Sequence, residues 1–229
     1  MLVQQKISQA VKAGRNHLLE QEGYEVFRAY SIPVPDSVLI TDVSKAEKLC
    51  GDFPFPAVIK IVSPDIIHKS DVGGVMVGIK SASELKTACM QILKNVAERA
   101  GSVKIDGILV TRMVDKGIEV VVGGMNNPQF GPVVMFGLGG IYVEVFKDVS
   151  FRMAPLSHAE ALRQIAQTKA YKLLSGVRGG PPCDLDALAE LIIGVGRLLT
   201  ENPDVKEVDI NPVMAFPHGC CAVDARIIL

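Results

Sequence analysis

The sequence predicts a protein of mixed α/β character, on three observations. Amphipathic segments with helix-start signals alternate along the whole chain with short apolar runs bounded by Gly, Pro, Asn or Asp. The 229 residues are 48% hydrophobic, enough to bury a full core, so a disordered chain is excluded. No repeat, low-complexity tract or long flexible linker interrupts the pattern, so any two lobes are closely joined.

Helix starts are marked by Ser44 with Glu47, Ser81 with Glu84 and Ser157 with Glu160. In each pair the hydroxyl can accept the backbone N–H three residues on. A fourth helix begins near Asp184 or Asp186 and carries Leu188, Leu191, Ile192, Val195, Leu198 and Leu199 at helical spacing. Strands are expected at 57–62, 74–79, 107–111, 118–123, 132–136, 205–210 and 221–225. A boundary is expected near 102–107, where the helix ending at Ala100-Gly101 gives way to the strand opening at Gly107.

Charge and cysteine usage narrow the function. The 24 Lys+Arg and 25 Asp+Glu leave a net charge of -1 with no basic run, which argues against nucleic acid or an anionic membrane as main partner. The stretch from Val120 to Val143 lacks charge, but Asn126, Asn127, Pro128, Gln129 and Pro132 interrupt it, and a spanning helix needs about 20 apolar residues. The first residues spread Lys6, Lys12 and Arg15 without a compact apolar stretch, so they do not read as a signal peptide and a cytoplasmic protein is expected. Five cysteines without a C-x-x-C pair read as reduced thiols used mostly in packing.

The 21 glycines are grouped, which directs attention to phosphate-binding loops. There is no G-x-x-x-x-G-K-[ST], and Gly137-Leu138-Gly139-Gly140-Ile141-Tyr142 misses the last glycine of G-x-G-x-x-G. H-E-x-x-H and G-x-S-x-G are also absent. What remains is a dispersed polar set at strand ends. Lys60 lies inside Ala57–Val62, where a lysine either snorkels to solvent or aims a point charge at a polyphosphate. His68 lies in a loop with Asp65 and Asp71 that closes on Gly73-Gly74; it is either an exposed imidazole or a nucleophile toward phosphorus with carboxylates to set its tautomer. Glu119 opens an apolar strand, as an edge acid or a partner for a ribose diol. Asn211 and Asp224, in Asp209-Ile210-Asn211-Pro212 and Ala222-Val223-Asp224, are turn formers singly, but together they suit magnesium, which takes one or two protein oxygens with phosphate and water. The loop with Gly139 and Gly140, together with Arg152 and Arg178, can supply N–H groups and guanidinium to phosphate, though a tight turn explains the glycines almost as well.

In order along the chain, Leu18-Leu19-Glu20 through Ile32-Pro33-Val34-Pro35, Val58-Ile59-Lys60, His68-Lys69-Ser70-Asp71-Val72-Gly73-Gly74-Val75, Gly117-Ile118-Glu119, Gly137-Leu138-Gly139-Gly140, Phe151-Arg152-Met153-Ala154-Pro155-Leu156, Gly176-Val177-Arg178-Gly179 and Asp209-Ile210-Asn211-Pro212 resemble the ATP-grasp subunit of ADP-forming acyl-CoA (acetyl-CoA) synthetases over nearly the whole chain. The resemblance implies an α+β ATP-grasp fold whose two subdomains hold nucleotide between them. Expected divisions are a helical segment 1–28 packing on the second lobe, a first subdomain 29–104 with Lys60 and His68, and a second, 105–229, with the nucleotide and magnesium site. In this family the CoA-binding part is a separate α subunit or is fused, and a chain of this length that starts with Met1 looks like the separate β subunit. The implied reaction is acyl-CoA + phosphate + ADP ⇌ acid + CoA + ATP.

The same resemblance implies a role for each matching residue. His68 is the relay histidine, receiving phosphoryl from a histidine on a mobile α-subunit segment and handing it to ADP. Lys60 binds phosphate, Glu119 binds ribose, and Asn211 with Asp224 holds Mg2+, with Asp209 as a further ligand or supporting group. Gly139, Gly140 and Arg152 meet phosphate, and the backbone near Met113 and Val114 meets adenine. The implied assembly is an α2β2 heterotetramer. One departure is Val110-Thr111-Arg112-Met113, where relatives carry Gln-Glu ahead of the Met, so base recognition there is expected to differ. Two other readings stand beside this one: an ATP-grasp carboxylate ligase without phosphohistidine, and a regulatory subunit that binds nucleotide without turning it over.

Overall fold

The computed structural model describes residues 2–66, 68–140, 148–177 and 180–229. Arg178 therefore lies outside the described residues. The chain divides into two compact units, Pro35–Val114 and a second made of Met1–Val34 with Asp115–Leu229.

In the 35–114 unit, strands β1 (Ser37–Ile40), β2 (Ala57–Val62), β3 (Val75–Ile79) and β4 (Gly107–Arg112) form an antiparallel sheet in the order β1-β4-β2-β3. Helices α3 (Ala46–Leu49) and α4 (Ala82–Ala100) pack against it, and Ile40, Ile59, Ile61, Leu85, Cys89, Ile92 and Ile108 make its core. Each such aliphatic side chain contributes about 1.5–3 kcal/mol by leaving water. Strand alternation does the sorting: Ile59 and Ile61 point into this core, so Lys60 projects from the other face. Because β4 pairs with both β1 and β2, it belongs to this unit, and the division falls at 114/115 rather than at 104/105. The leading division falls at 34/35 rather than 28/29, because Ile32 and the Tyr30 carbonyl pack against Gly194.

In the other unit, β5 (Ile118–Asn127), β6 (Gly131–Leu138), β7 (Val149–Met153), β8 (Glu207–Ala215) and β10 (Arg226–Ile228) run in the order β10-β8-β5-β6-β7, with β9 (Cys220–Ala222) also on β8. Helices α5 (His158–Ala166), α6 (Ala170–Leu174) and α7 (Leu185–Glu201) belong to it. The apolar stripe expected on the last long helix is buried, with Leu188, Leu191, Ile192, Val195, Leu198 and Leu199 each fully enclosed. Gly124 permits that packing, since a Cβ there would stand 2.6 Å from Leu199 Cδ1. Buried Gln164 of α5 ties the helix to the sheet by donating to the carbonyls of Val134 and Ser150, 3.0 Å each.

The N-terminal helices α1 (Leu2–Lys12) and α2 (Glu20–Ala29) belong to the same unit. Between them the chain runs along β10: Leu18 N–H donates to Ile227 O at 3.0 Å and Leu229 N–H to Asn16 O at 2.8 Å. Arg15 forms a two-pronged ion pair with Glu22, whose carboxylate also accepts the Leu19 N–H at the head of α2.

The helix signals resolve individually. Ser157 and Glu160 form a full capping box on α5, and Asp184 caps α7 by accepting the Ala187 N–H at 2.9 Å. Ser81 caps α4, but Glu84 accepts from Lys80 N–H. Ser44 is not a cap: Asp42 takes that role on the 3-10 turn Val43–Lys45, with Ser44 N–H and hydroxyl both donating to it. None of the five cysteines forms a disulfide, and no helix among the described residues is long and apolar enough to cross a membrane.

Candidate functional site

Two groups of chemically capable residues emerge, one in each unit. In the 35–114 unit, Lys60 is 7% exposed at the middle of β2, opposite Val75 and Leu109. The loop that follows carries His68, which is exposed. Both ends of that loop are anchored. Ser63 Oγ donates to Lys104 O at 2.6 Å and accepts from Asp65 N–H, while Asp65 Oδ2 accepts the Lys104 N–H at 2.7 Å. At the far end Gly74 N–H donates to Lys69 O at 2.7 Å and Gly74 O accepts from Ile61 N–H. Gly74 has to be glycine, because a Cβ would lie 2.6 Å from Ile61 Cγ2 and 2.8 Å from Lys69 O. Asp65 Oδ2 thus helps to fasten the loop.

Met113 and Val114 end this unit. Met113 is 37% exposed and its N–H already donates to Pro56 O at 2.9 Å. That N–H is therefore already engaged, while the Met113 carbonyl has no backbone partner among the described residues.

The second group lies on one face of the larger sheet. Along β5 the side chains of Val120 and Val122 turn inward, so Glu119, Val121 and Gly123 take the opposite side, with Asp209 of β8 paired to Gly123. The glycine loop folds back onto this face. Gly139 N–H donates to Glu119 O at 2.9 Å, Gly140 N–H donates to Asn211 Oδ1 at 3.2 Å, and Gly140 has φ +63. A Cβ on Gly140 would sit 2.5 Å from Glu119 Oε2. Glu119, Gly139, Gly140 and Asn211 are thus brought together, although they lie far apart in sequence.

Asn211 lies within β8 rather than at its end, and Asp224 lies in the connection from β9 to β10. Val223 N–H donates to Pro212 O at 3.0 Å, which sets Asp224 alongside the Asn211 segment. Burial pushes the Asp209 carboxyl above its usual range; Arg226 opposes this, and the Glu207 and Asp224 carboxylates add to it. The Asp209 and Asp224 carboxylates thus lie within electrostatic reach of each other, and carboxylate and amide oxygens are the donor type that a hard divalent cation takes. Among the described residues no group of three or more His, Cys, Asp or Glu side chains could hold a metal ion by itself.

Arg152 is not in this group. It pairs with Val134, on the side that α5 covers, and its guanidinium donates to Phe151 O and Gln167 Oε1 at 2.7 Å each. Sequence reasoning also missed Tyr24, which is fully buried with its hydroxyl 2.6 Å from Val223 O. A tyrosine in an amphipathic helix gives no local sign of a polar partner 199 residues away.

Two antiparallel sheets carry the glycine loop, a buried lysine and an oxygen-rich strand pair, and the ATP-grasp domain family matches residues 9–229. The chain belongs to that family. Within it the chain is 46% identical over 224 residues to the beta subunit of ADP-forming acetate–CoA ligase I of Pyrococcus furiosus, covering 98% of this chain and 97% of that one. It is 44% identical over 221 residues to the ADP-forming 4-hydroxybutyrate–CoA ligase of Nitrosopumilus maritimus, covering 96% of this chain but 32% of the longer relative. Among solved structures, acetyl-coenzyme A synthetase 1 of Ca. Korarchaeum cryptofilum with coenzyme A and Ca-AMPCP superposes with a TM-score of 0.94 at 46% identity, covering 97% of each chain. The same protein with coenzyme A and Mg-AMPPCP, its phosphohistidine segment pointing towards the nucleotide-binding site, gives 0.87 at 43% identity, covering 99% of each chain.

Proposed function

We propose that this chain is the nucleotide-binding β subunit of an ADP-forming acyl-CoA synthetase, catalysing with a CoA-binding partner chain acyl-CoA + phosphate + ADP ⇌ acid + CoA + ATP. The observation that carries the reading is His68, an exposed imidazole on a loop fastened at both ends. A side chain that must receive a phosphoryl group from another protein and pass it on has to be accessible yet held in place. Near full-length similarity to a β subunit supports the partner chain, and the solved relative with its phosphohistidine segment and Mg-AMPPCP supports the relay and the magnesium nucleotide.

In this reading His68 Nε2 or Nδ1 attacks the phosphorus of a partner phosphohistidine, the partner imidazole leaves, and the β-phosphate oxygen of ADP then takes the phosphoryl group from His68 to give ATP. Lys60 neutralises phosphate charge and Glu119 accepts hydrogen bonds from the ribose hydroxyls. The Gly139–Gly140 backbone approaches phosphate, and the Met113 carbonyl and Val114 face the base. Asn211 and Asp224, with Asp209, would hold Mg2+, which supplies charge neutralisation to the transferring phosphoryl group. The assembly is taken as α2β2, to be checked by sedimentation of the purified complex.

The test is phosphorylation. Incubated with ATP and magnesium, the chain with its partner should acquire an acid-labile, base-stable phosphate that His68→Ala removes, along with acid-dependent ADP formation. Full activity in His68→Ala would overturn the relay. Direct carboxylate ligation without a phosphoenzyme, or a purely regulatory subunit, would show nucleotide binding with no such phosphate.

A further inference from the structure

The metal assignment leaves one question of geometry, namely what holds Asp224 in place. Asp224 sits outside any strand, in the short link between β9 and β10. Its carboxylate accepts the Ala225 N–H at 2.9 Å, a contact within the link. Two contacts join the link to other segments. On one side Val223 N–H donates to Pro212 O, next to Asn211. On the other, the Tyr24 hydroxyl of α2 reaches the carbonyl of Val223 at 2.6 Å, the oxygen of the peptide whose nitrogen belongs to Asp224.

Tyr24 is itself fully constrained. It is 0% exposed, and Glu20, one turn earlier on α2 and 4% exposed, stands 2.9 Å from the same hydroxyl. Gly23 lets the helix approach, since a Cβ there would come within 3.1 Å of Ala225 Cβ. The phenol's pKa is raised well above its ordinary value, by burial first and then by the charges of Glu20 and Asp224, so the Asp224 carboxylate lies within electrostatic reach of this hydroxyl.

We propose that Tyr24 is a positioning residue for the magnesium site: by holding the Val223–Asp224 peptide against α2, it keeps the Asp224 carboxylate beside Asp209 and Asn211 for the divalent cation. The inference rests on the metal assignment made above. It also gives α2 a function, since this helix, which precedes the 35–114 unit in sequence, is built into the other unit behind Asp224. The opposite result, a tyrosine that only fastens α2, would cost stability without touching metal dependence.

The experiment uses the full chain and calorimetric titration of ADP across a series of Mg2+ concentrations, with melting followed in parallel. Tyr24→Phe keeps the buried ring and removes only the hydroxyl. The Mg2+ concentration at half-effect should rise roughly three- to tenfold, the factor that one lost hydrogen bond represents, while ADP affinity without metal stays unchanged. A lowered melting temperature with wild-type Mg2+ dependence overturns the proposal. Gly23→Ala presses on Ala225 from the same helix and should shift the Mg2+ dependence in the same direction; should Tyr24→Phe not fold, an unshifted dependence in Gly23→Ala overturns it instead. Asp224→Ala separates the two levels of the argument. If it leaves the Mg2+ dependence intact, the metal assignment itself fails; if it abolishes the dependence while Tyr24→Phe does not alter it, only the positioning role fails.

Discussion

Adding one methyl group at Gly140 tests whether the fold of the glycine loop sets the Glu119 carboxylate that is proposed to meet ribose. An alanine there must adopt φ +63, which costs an L-residue about 1–2 kcal/mol. Its Cβ would stand 2.5 Å from Glu119 Oε2 and 3.7 Å from Glu119 Cδ. The obstacle is the end of a flexible side chain, so the carboxylate swings aside and the backbone stays. A charge-assisted hydrogen bond is worth about 1.5–3 kcal/mol, so displacing Glu119 from a ribose hydroxyl should weaken ADP binding roughly ten- to hundredfold. Gly139→Ala is the control. Its Cβ would lie 2.7 Å from the Val120 carbonyl carbon and 2.8 Å from its oxygen, so strand β5 itself must move. Overpacking of this kind costs about 1–3 kcal/mol or more, about 2–4 °C of melting temperature for each kcal/mol in a chain of this size. Calorimetric titration of Mg-ADP and thermal melting together read both variants. Wild-type ADP affinity in a folded Gly140→Ala protein would refute the ribose role of Glu119, and a Gly139→Ala protein that melts no lower than wild type would refute the contact reasoning.

Three further outcomes follow from the same geometry. Gly74→Ala, pressed against Ile61 and the Lys69 carbonyl, should disturb the root of the His68 loop and lower His68 phosphorylation severalfold while ADP affinity is kept, as read by acid-labile phosphate and calorimetry. Lys60→Met keeps most of the side-chain volume in the sheet but removes the charge, and should weaken ADP binding at least about tenfold, more at low than at high ionic strength. Asp184 has its carboxyl lowered by backbone N–H donors from Ala187 and then Gly219, so its contribution to stability is complete above the unfolded-state pKa and is lost as pH falls through the lower folded value. Asp184→Ala should therefore cost about 1 kcal/mol in urea unfolding at neutral pH, with the gap from wild type closing in acid; a gap independent of pH would remove the charged cap as its source.

The sequence by itself determined what depends on local order. The apolar stripe of α7, the capping pair Ser157 and Glu160, and the β-branched run around Lys60 follow from spacing that each segment carries within itself, and all three form as read. The residues that match the ATP-grasp family were legible because type and order survive in one dimension. Tertiary structure alone decided which of them meet. Gly140 touches both Glu119 and Asn211 because β5 lies between β6 and β8, an adjacency that no window of sequence contains. Arg152 falls on the helix-covered side through the pairing of Val134 with Arg152, a matter of register. Likewise Ser44 loses its cap role to Asp42, two residues earlier, because both its N–H and hydroxyl find that carboxylate first. The contact between Tyr24 and Val223 is the plainest case. A hydroxyl near one end of the chain answers a backbone carbonyl near the other, and only packing brings a donor and an acceptor across such a separation.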